Sequence, residues 1–177
     1  AIGNTLINFR TDTDSIAWQQ PCVYPTTPAY KDGVVYAVNQ NPLRLEARAE
    51  TDGTLLWWWT PANPADSLFV SEVLLTDNLA FVTTTRATYA IDLATHLPVF
   101  SFPASGKLAL SANGVLYIGG SFAMVNGAFR INLAALDLQT GQVLPWDPQA
   151  DGVVYDIVAR GSSVVVAGGF TSLIGTN

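Results

Sequence analysis

Residues 133–146 read LAALDLQTGQVLPW: an alternating apolar run, a polar turn at Thr140-Gly141, and a short apolar run closed by Trp146. The alternation is that of a half-buried strand, and glycine at the turn supplies the positive φ that a tight reversal demands. The stretch reads as a β-hairpin. Three other segments share its frame: residues 6–18 (LINFRTDTDSIAW), 45–57 (LEARAETDGTLLW) and 88–100 (TYAIDLATHLPVF). Their turns fall at Thr13-Asp14, Asp52-Gly53 and Thr95-His96. The second turn residues, at positions 14, 53, 96 and 141, recur at intervals of 39, 43 and 45 residues. Each copy ends on an aromatic, Trp18, Trp57, Phe100 or Trp146, large enough to fill a gap between neighbouring sheets; burying one contributes roughly 1.5–3 kcal/mol.

A repeat of this length, built on hairpins, matches the four-stranded blade of a β-propeller. The expected fold is all-β, a propeller of about four blades: residues 29–60, 68–103, 107–148, and 152–177 completed by 1–20. Residues 1–20 hold the last two strands of a blade and 153–169 the first two of another. The segment from Phe170 onward, read on into residues 1–18, parallels Phe122 onward; 12 residues separate Phe170 from Leu6 and 10 separate Phe122 from Leu133. Complementary ends would remove a sheet edge whose unpaired N–H and C=O groups invite aggregation. Three arrangements satisfy this pairing: closure within one chain, closure of two copies head to tail, or a place in a longer array. Residues 21–28 (PCVYPTTP) and 61–64 read as proline-rich links, and 121–132 as an insertion with a second Asn-Gly at 126 and 127.

With 177 residues, 49% hydrophobic and 12% charged, the chain is long and apolar enough for a sizeable core. Its net charge is −6, and its eight basic residues are scattered along the sequence, which argues against a nucleic-acid partner. No apolar run approaches the roughly 18 residues that span a bilayer as a helix. The one cysteine, Cys22, excludes an intrachain disulfide. Two lysines beside five tryptophans, six tyrosines and many Thr, Ser, Asn and Gly suit a secreted, periplasmic or cell-surface β protein. Ala1 stands where an initiator Met would, as expected of a processed exported chain or of a piece of a longer one.

The core Ala135-Leu136-Asp137 with Thr140, Gly141 and Trp146 resembles the PQQ-like β-propeller repeat. Tyr89-Ala90-Ile91-Asp92 with Thr95 and Phe100 is similar, with His96 where the pattern has glycine; Asp14 and Ala49 depart further. Residues 119–152, echoed from Ala167 by AGGFTSLIG, resemble the delta-sixty type of repeat found in bacterial surface proteins. Together these cover nearly the whole chain and imply a propeller, a fold that serves unrelated functions. The quinoprotein alcohol dehydrogenases among such propellers imply adjacent cysteines, a catalytic Asp and calcium ligands, whereas Cys22 stands alone. Neither a quinone nor a nucleotide is expected to bind: the sequence has no GxxxxGK loop and no GxGxxG after a strand.

Other residues with chemical potential have plainer readings. His96, the one histidine, excludes a multi-His zinc site and reads as an exposed turn residue. Asp12, Asp14, Asp147 and Asp151 offer oxygens without completing a calcium loop. Asp92 and Asp137 recur at one repeat position, which favours a structural bond to the turn over catalysis. Within Trp57-Trp58-Trp59, alternation puts Trp57 and Trp59 on one face and Trp58 on the other; Trp58 and Trp59 are the candidate platform for a sugar ring or a protein. The expectation is a non-enzymatic scaffold of an exported, bacterial protein without a cofactor, binding a protein partner or a second copy of itself. The alternatives are a carbohydrate-binding propeller and the remnant of a quinoprotein dehydrogenase.

Overall fold

A computed structural model describes residues 3–175, and all of its regular structure is strand. The N-terminal hairpin pairs β1 (Gly3–Arg10) with β2 (Ser15–Tyr24). Blade 1 follows as β3 (Ala29–Lys31), β4 (Val34–Gln40), β5 (Leu43–Ala49) and β6 (Leu55–Trp59), in that spatial order. Blade 2 is β7 (Leu74–Leu75), β8 (Leu79–Thr83), β9 (Thr88–Asp92) and β10 (Pro98–Phe102), likewise a meander. Blade 3 contains β11 (Gly106–Leu110) and β12 (Val115–Gly120); the insertion after them makes its own small hairpin from β13 (Met124–Val125) and β14 (Ala128–Phe129). The blade resumes with β15 (Leu133–Asp137), and a last hairpin pairs β16 (Val154–Arg160) with β17 (Ser163–Gly168).

The four repeat turns share a conformation. Asp14, Gly53, His96 and Gly141 all have positive φ, at 53°, 75°, 62° and 70°. Within the blades the amide of this residue donates to the carbonyl four residues earlier: Gly53 to Ala49, His96 to Asp92 and Gly141 to Asp137, at 2.8–2.9 Å. Asn126 and Gly127, at φ 46° and 80°, likewise make the tight turn of the inserted hairpin.

The core is layered. One apolar layer lies between the N-terminal hairpin and blade 1 (Leu6, Trp18, Tyr24, Ala37), and a second between blades 1 and 2 (Tyr36, Val38, Leu45 against Val82, Tyr89, Ile91). A third lies between blades 2 and 3 (Phe81, Phe102 against Leu116, Leu136), and a fourth between blade 3 and the C-terminal hairpin (Ala109, Leu133 against Val154, Ile157). Each blade is covered on both faces, which is why central strands such as β8 (LAFVT) and β12 (VLYIGG) are almost continuously apolar.

The structure corrects three expectations. Residues 3–24 and 154–168 form separate two-stranded sheets, so the blade expected from 152–177 with 1–20 is not assembled within one chain. Blade 3, expected to carry four strands, has three, and its outer segment is reduced to a single bridge between Leu136 and Val143. The last ladder bond runs from the Leu144 amide to the Ala135 carbonyl, at 2.8 Å. The proline link expected at 21–28 is partly strand, since β2 runs on to Tyr24 with Pro21 opposite Thr5. A proline is tolerated there because β2 is an edge strand.

Candidate functional site

Three of the four closing aromatics lie on the turn of the next repeat. A Cβ added to Gly53 would come within 2.7 Å of Trp18, and one added to Gly141 within 2.7 Å of Phe100. At the intervening junction Trp57 stacks on His96, with ring centroids 4.4 Å apart and 16° between planes. Trp18 also donates from Nε1 to the Glu50 carbonyl at 2.6 Å. The series thus runs Trp18 on Gly53, Trp57 on His96, and Phe100 on Gly141. His96 is half-buried by this contact rather than free in solvent. Trp146, fourth in the series, is half-buried edge-on against Tyr117 at 5.1 Å.

Asp92 and Asp137 serve their turns in the same way. The Thr95 amide and hydroxyl donate to Asp92 Oδ1 at 2.7 and 2.9 Å, and those of Thr140 to Asp137 Oδ1 at 2.8 Å each. These bonds, led by the threonine amides, hold both carboxyls below the usual carboxylate range. Among the described residues no three of His, Cys, Asp and Glu converge as metal ligands. Asp147 faces Arg130 at 3.7 Å, and Asp151 accepts from the amides and hydroxyls of Thr171 and Ser172.

The tryptophan run divides as strand alternation requires. Trp59 is 8% exposed and packs on Tyr89 with ring centroids 4.9 Å apart, whereas Trp58, on the other face of β6, is 58% exposed. Trp58 and Trp59 therefore do not make one platform. The Arg44 guanidinium lies 5.9 Å from the Trp58 ring centre and is itself paired with Glu46 at 2.6 Å.

Glu46 anchors a polar network that sequence reasoning missed. Arg44, Glu46 and Arg48 lie on one face of β5, turned toward β2. The carboxylate is fully buried and accepts from Asn39, Tyr24, Arg44 and Arg48 at 2.6–2.8 Å. Burial pushes its pKa up, but the bonds from Asn39, Tyr24 and the two arginines outweigh that and leave it lowered. Arg48 continues to the Gly53 carbonyl at 2.9 Å, and the Cys22 thiol donates to Asn39 and to the Asn41 carbonyl, both at 3.0 Å. Charges at alternate positions look like a solvated face. The available signal was that a central blade strand has no solvated face, so the three had to satisfy one another.

A groove of about 320 Å³ lies between the N-terminal hairpin and blade 1. Leu6, Phe9, Trp18, Tyr30 and Val35 line it. Phe9 is half exposed, as are Ile7 and Ile16. At the far end of the stack Tyr155, Val158 and Val165 are 65%, 56% and 64% exposed on the C-terminal hairpin. Its other face, with Val154 and Ile157, is packed on blade 3.

No protein-family model and no curated protein sequence matches the chain. Solved structures do. The chain is similar to BamB from Moraxella catarrhalis, at 13% identity and TM-score 0.61, over 93% of this chain and 65% of that one. It is similar to Sqt1 from Saccharomyces cerevisiae, at 15% identity and TM-score 0.71, over 94% and 50%. It is also similar to the quinohemoprotein alcohol dehydrogenase from Comamonas testosteroni, at 12% identity and TM-score 0.66, over 94% and 37%. The chain thus spans less than two thirds of each of these proteins. Identities this low establish the fold and nothing finer, and that fold is the β-propeller.

Proposed function

We propose that this chain is a non-enzymatic propeller scaffold of an exported, bacterial protein, and that it works by holding a protein partner. One observation carries the reading: Ile7, Phe9 and Ile16 on the N-terminal hairpin and Tyr155, Val158 and Val165 on the C-terminal hairpin present apolar side chains to solvent. Exposed apolar faces on a well-packed body mark interaction surfaces. The acidic residues of the repeat support the non-catalytic part, since Asp92 and Asp137 are engaged by their own turns. The low lysine content and abundant Trp, Tyr and Thr support export.

A photo-activated cross-linker placed at Phe9 or Val165 in the producing cell tests this. Adducts to protein at both positions, and none at the exposed turn residue Asp32, are expected. Failure to cross-link at either end would overturn the reading, as would alcohol oxidation after loading with PQQ and calcium. A carbohydrate-binding alternative rests on Trp58 alone, because Trp59 is buried.

A further inference from the structure

We infer that the outer edge of blade 1 is a docking site for an extended acidic peptide of a partner protein, added alongside β6 as a fifth strand. The site uses none of the hairpin surfaces invoked above and stands without them. Its first support is how the outer edges are guarded. A strand that ends a sheet recruits other strands through its free N–H and C=O groups unless proline, charge or distortion blunts it. β2 carries Pro21, and β10 opens on Pro98 with a break in register before Phe100. The outer segment of blade 3 carries Pro145 and is reduced to one bridge. β6 reads LLWWW, with neither proline nor charge, and among the described residues it pairs only with β5.

The second support is the pair of side chains beside that edge. Trp57 and Trp59 pack toward blade 2, whereas Leu56 and Trp58 are 51% and 58% exposed on the other face. A strand laid along β6 pairs its backbone with the free edge and sets alternate side chains on Leu56 and Trp58. A helix or a proline-rich segment would cover the same side chains and leave the row of backbone groups unpaired.

The third support is charge. The ladder pairs Glu46 with Trp58, so Arg44 follows on the same face just past the end of β6. Arg44 and Arg48 share one carboxylate, Glu46, which leaves the network with an excess positive charge. Glu46 holds Arg44 by its Nε at 2.6 Å, and the guanidinium reaches out to 5.9 Å from the Trp58 ring centre. Among the described residues its two Nη nitrogens have no hydrogen-bond partner, and they form a fork that a carboxylate can take with both oxygens. An antiparallel strand meets Arg44, then Trp58, then Leu56. The peptide it fits therefore carries Asp or Glu, with apolar residues two and four positions later.

The test pans a phage-displayed library of random peptides over the full 177-residue chain. Enriched peptides are expected to share that spacing, and a capped synthetic peptide of the enriched sequence is then titrated by fluorescence anisotropy. Leu56 and Trp58 are exposed, so Leu56→Lys and Trp58→Ala should keep the melting temperature and weaken binding by about tenfold or more. Methylating alternate backbone nitrogens of the peptide, which leaves its side chains unchanged, should weaken it by about tenfold or more on one of the two alternations. Arg44→Gln should weaken the acidic peptide and leave its glutamine counterpart unaffected. The inference is overturned if no peptide is enriched over the Leu56→Lys chain, if the enriched peptides show helical or proline-rich spacing, or if binding is indifferent to both backbone methylations. A dimer in light scattering that Leu56→Lys converts to the 18.9 kDa monomer also overturns it, because a second copy then occupies the edge. Cross-linking from Phe9 and Val165 should be the same in the Leu56→Lys chain, so the scaffold reading stands or falls separately.

Discussion

Phe100 of blade 2 lies against Gly141 of blade 3 so closely that a Cβ on that glycine would sit 2.7 Å from the ring, and Trp18 crowds Gly53 to the same distance. Both glycines also have positive φ. Gly141→Ala and Gly53→Ala therefore combine a left-handed alanine, about 1–2 kcal/mol, with an overpacked junction, about 1–3 kcal/mol. Gly33 and Gly114 have similar φ values but open space around them, so their alanine variants carry the first cost alone. Urea denaturation should show Gly53 and Gly141 variants about 1–3 kcal/mol less stable than Gly33 and Gly114 variants. Equal midpoints across the four would mean that the aromatic contacts do not constrain the turns.

Trp57 and Trp58 are neighbours with opposite roles. Trp57 stacks on His96 and lies edge-on to Tyr36 at 5.8 Å, joining blades 1 and 2, while Trp58 faces solvent beside Arg44. Trp57→Ala should cost about 2–4 kcal/mol, somewhat below a fully buried tryptophan. Trp58→Ala should cost less than about 1 kcal/mol, the scale of an exposed cation–π contact. If Trp58 binds sugars, its alanine variant will lose retention on a glycan array without losing stability; unchanged retention removes the carbohydrate alternative.

How much could be read beforehand follows from which interactions are local. Hairpins announce themselves within a dozen residues, so the frame around Thr140-Gly141 located all four positive-φ turns, including Asp14 and His96, where no glycine marks them. Strand alternation separated Trp58 from Trp57 and Trp59. The Glu46 network was not legible, because Tyr24, Asn39 and Arg48 come from three strands and meet only once β2 packs on blade 1. The aromatic contacts were half legible: recurrence marked Trp18, Trp57 and Phe100 as packing residues, but that each sits on the next turn depends on how blades stack.

Glu46 gives stability a dependence on pH with a definite sign. Its folded pKa lies below the ordinary value of 4.5, so its contribution is fully present above that value and is lost as pH falls through the lower folded one. At the other extreme, burial and the bond to Glu46 push the Tyr24 hydroxyl above its ordinary 10. That contribution is present below pH 10 and fades as pH rises toward the folded value. Glu46→Ala, which leaves Arg48 buried and unpaired, should cost about 3–5 kcal/mol at neutral pH. Melting curves from pH 2 to 7 should show the acid-side loss shrinking in Glu46→Gln; an unchanged profile would place the acid sensitivity elsewhere.

Deleting residues 1–24 tests whether the N-terminal hairpin is part of the folded body. It removes the Tyr24 bond to Glu46 at 2.7 Å and lifts Trp18 off Gly53. It also uncovers Val35 and Ala37 on a blade face that the hairpin shields. Glu46 and Arg48 remain paired, but water now reaches them, so most of the loss is apolar cover and the tyrosine bond. A loss of several kcal/mol should lower the melting temperature by about 10 °C or more in a chain of this size. The uncovered face, with the β3–β4 ladder beside it, should also make the shortened chain aggregate. The point variant Trp18→Ala keeps the hairpin and should fall between the deletion and the full chain. If the deletion melts at the same temperature and stays in solution, the hairpin is an appendage, and its contacts with blade 1 do not hold the folded body together.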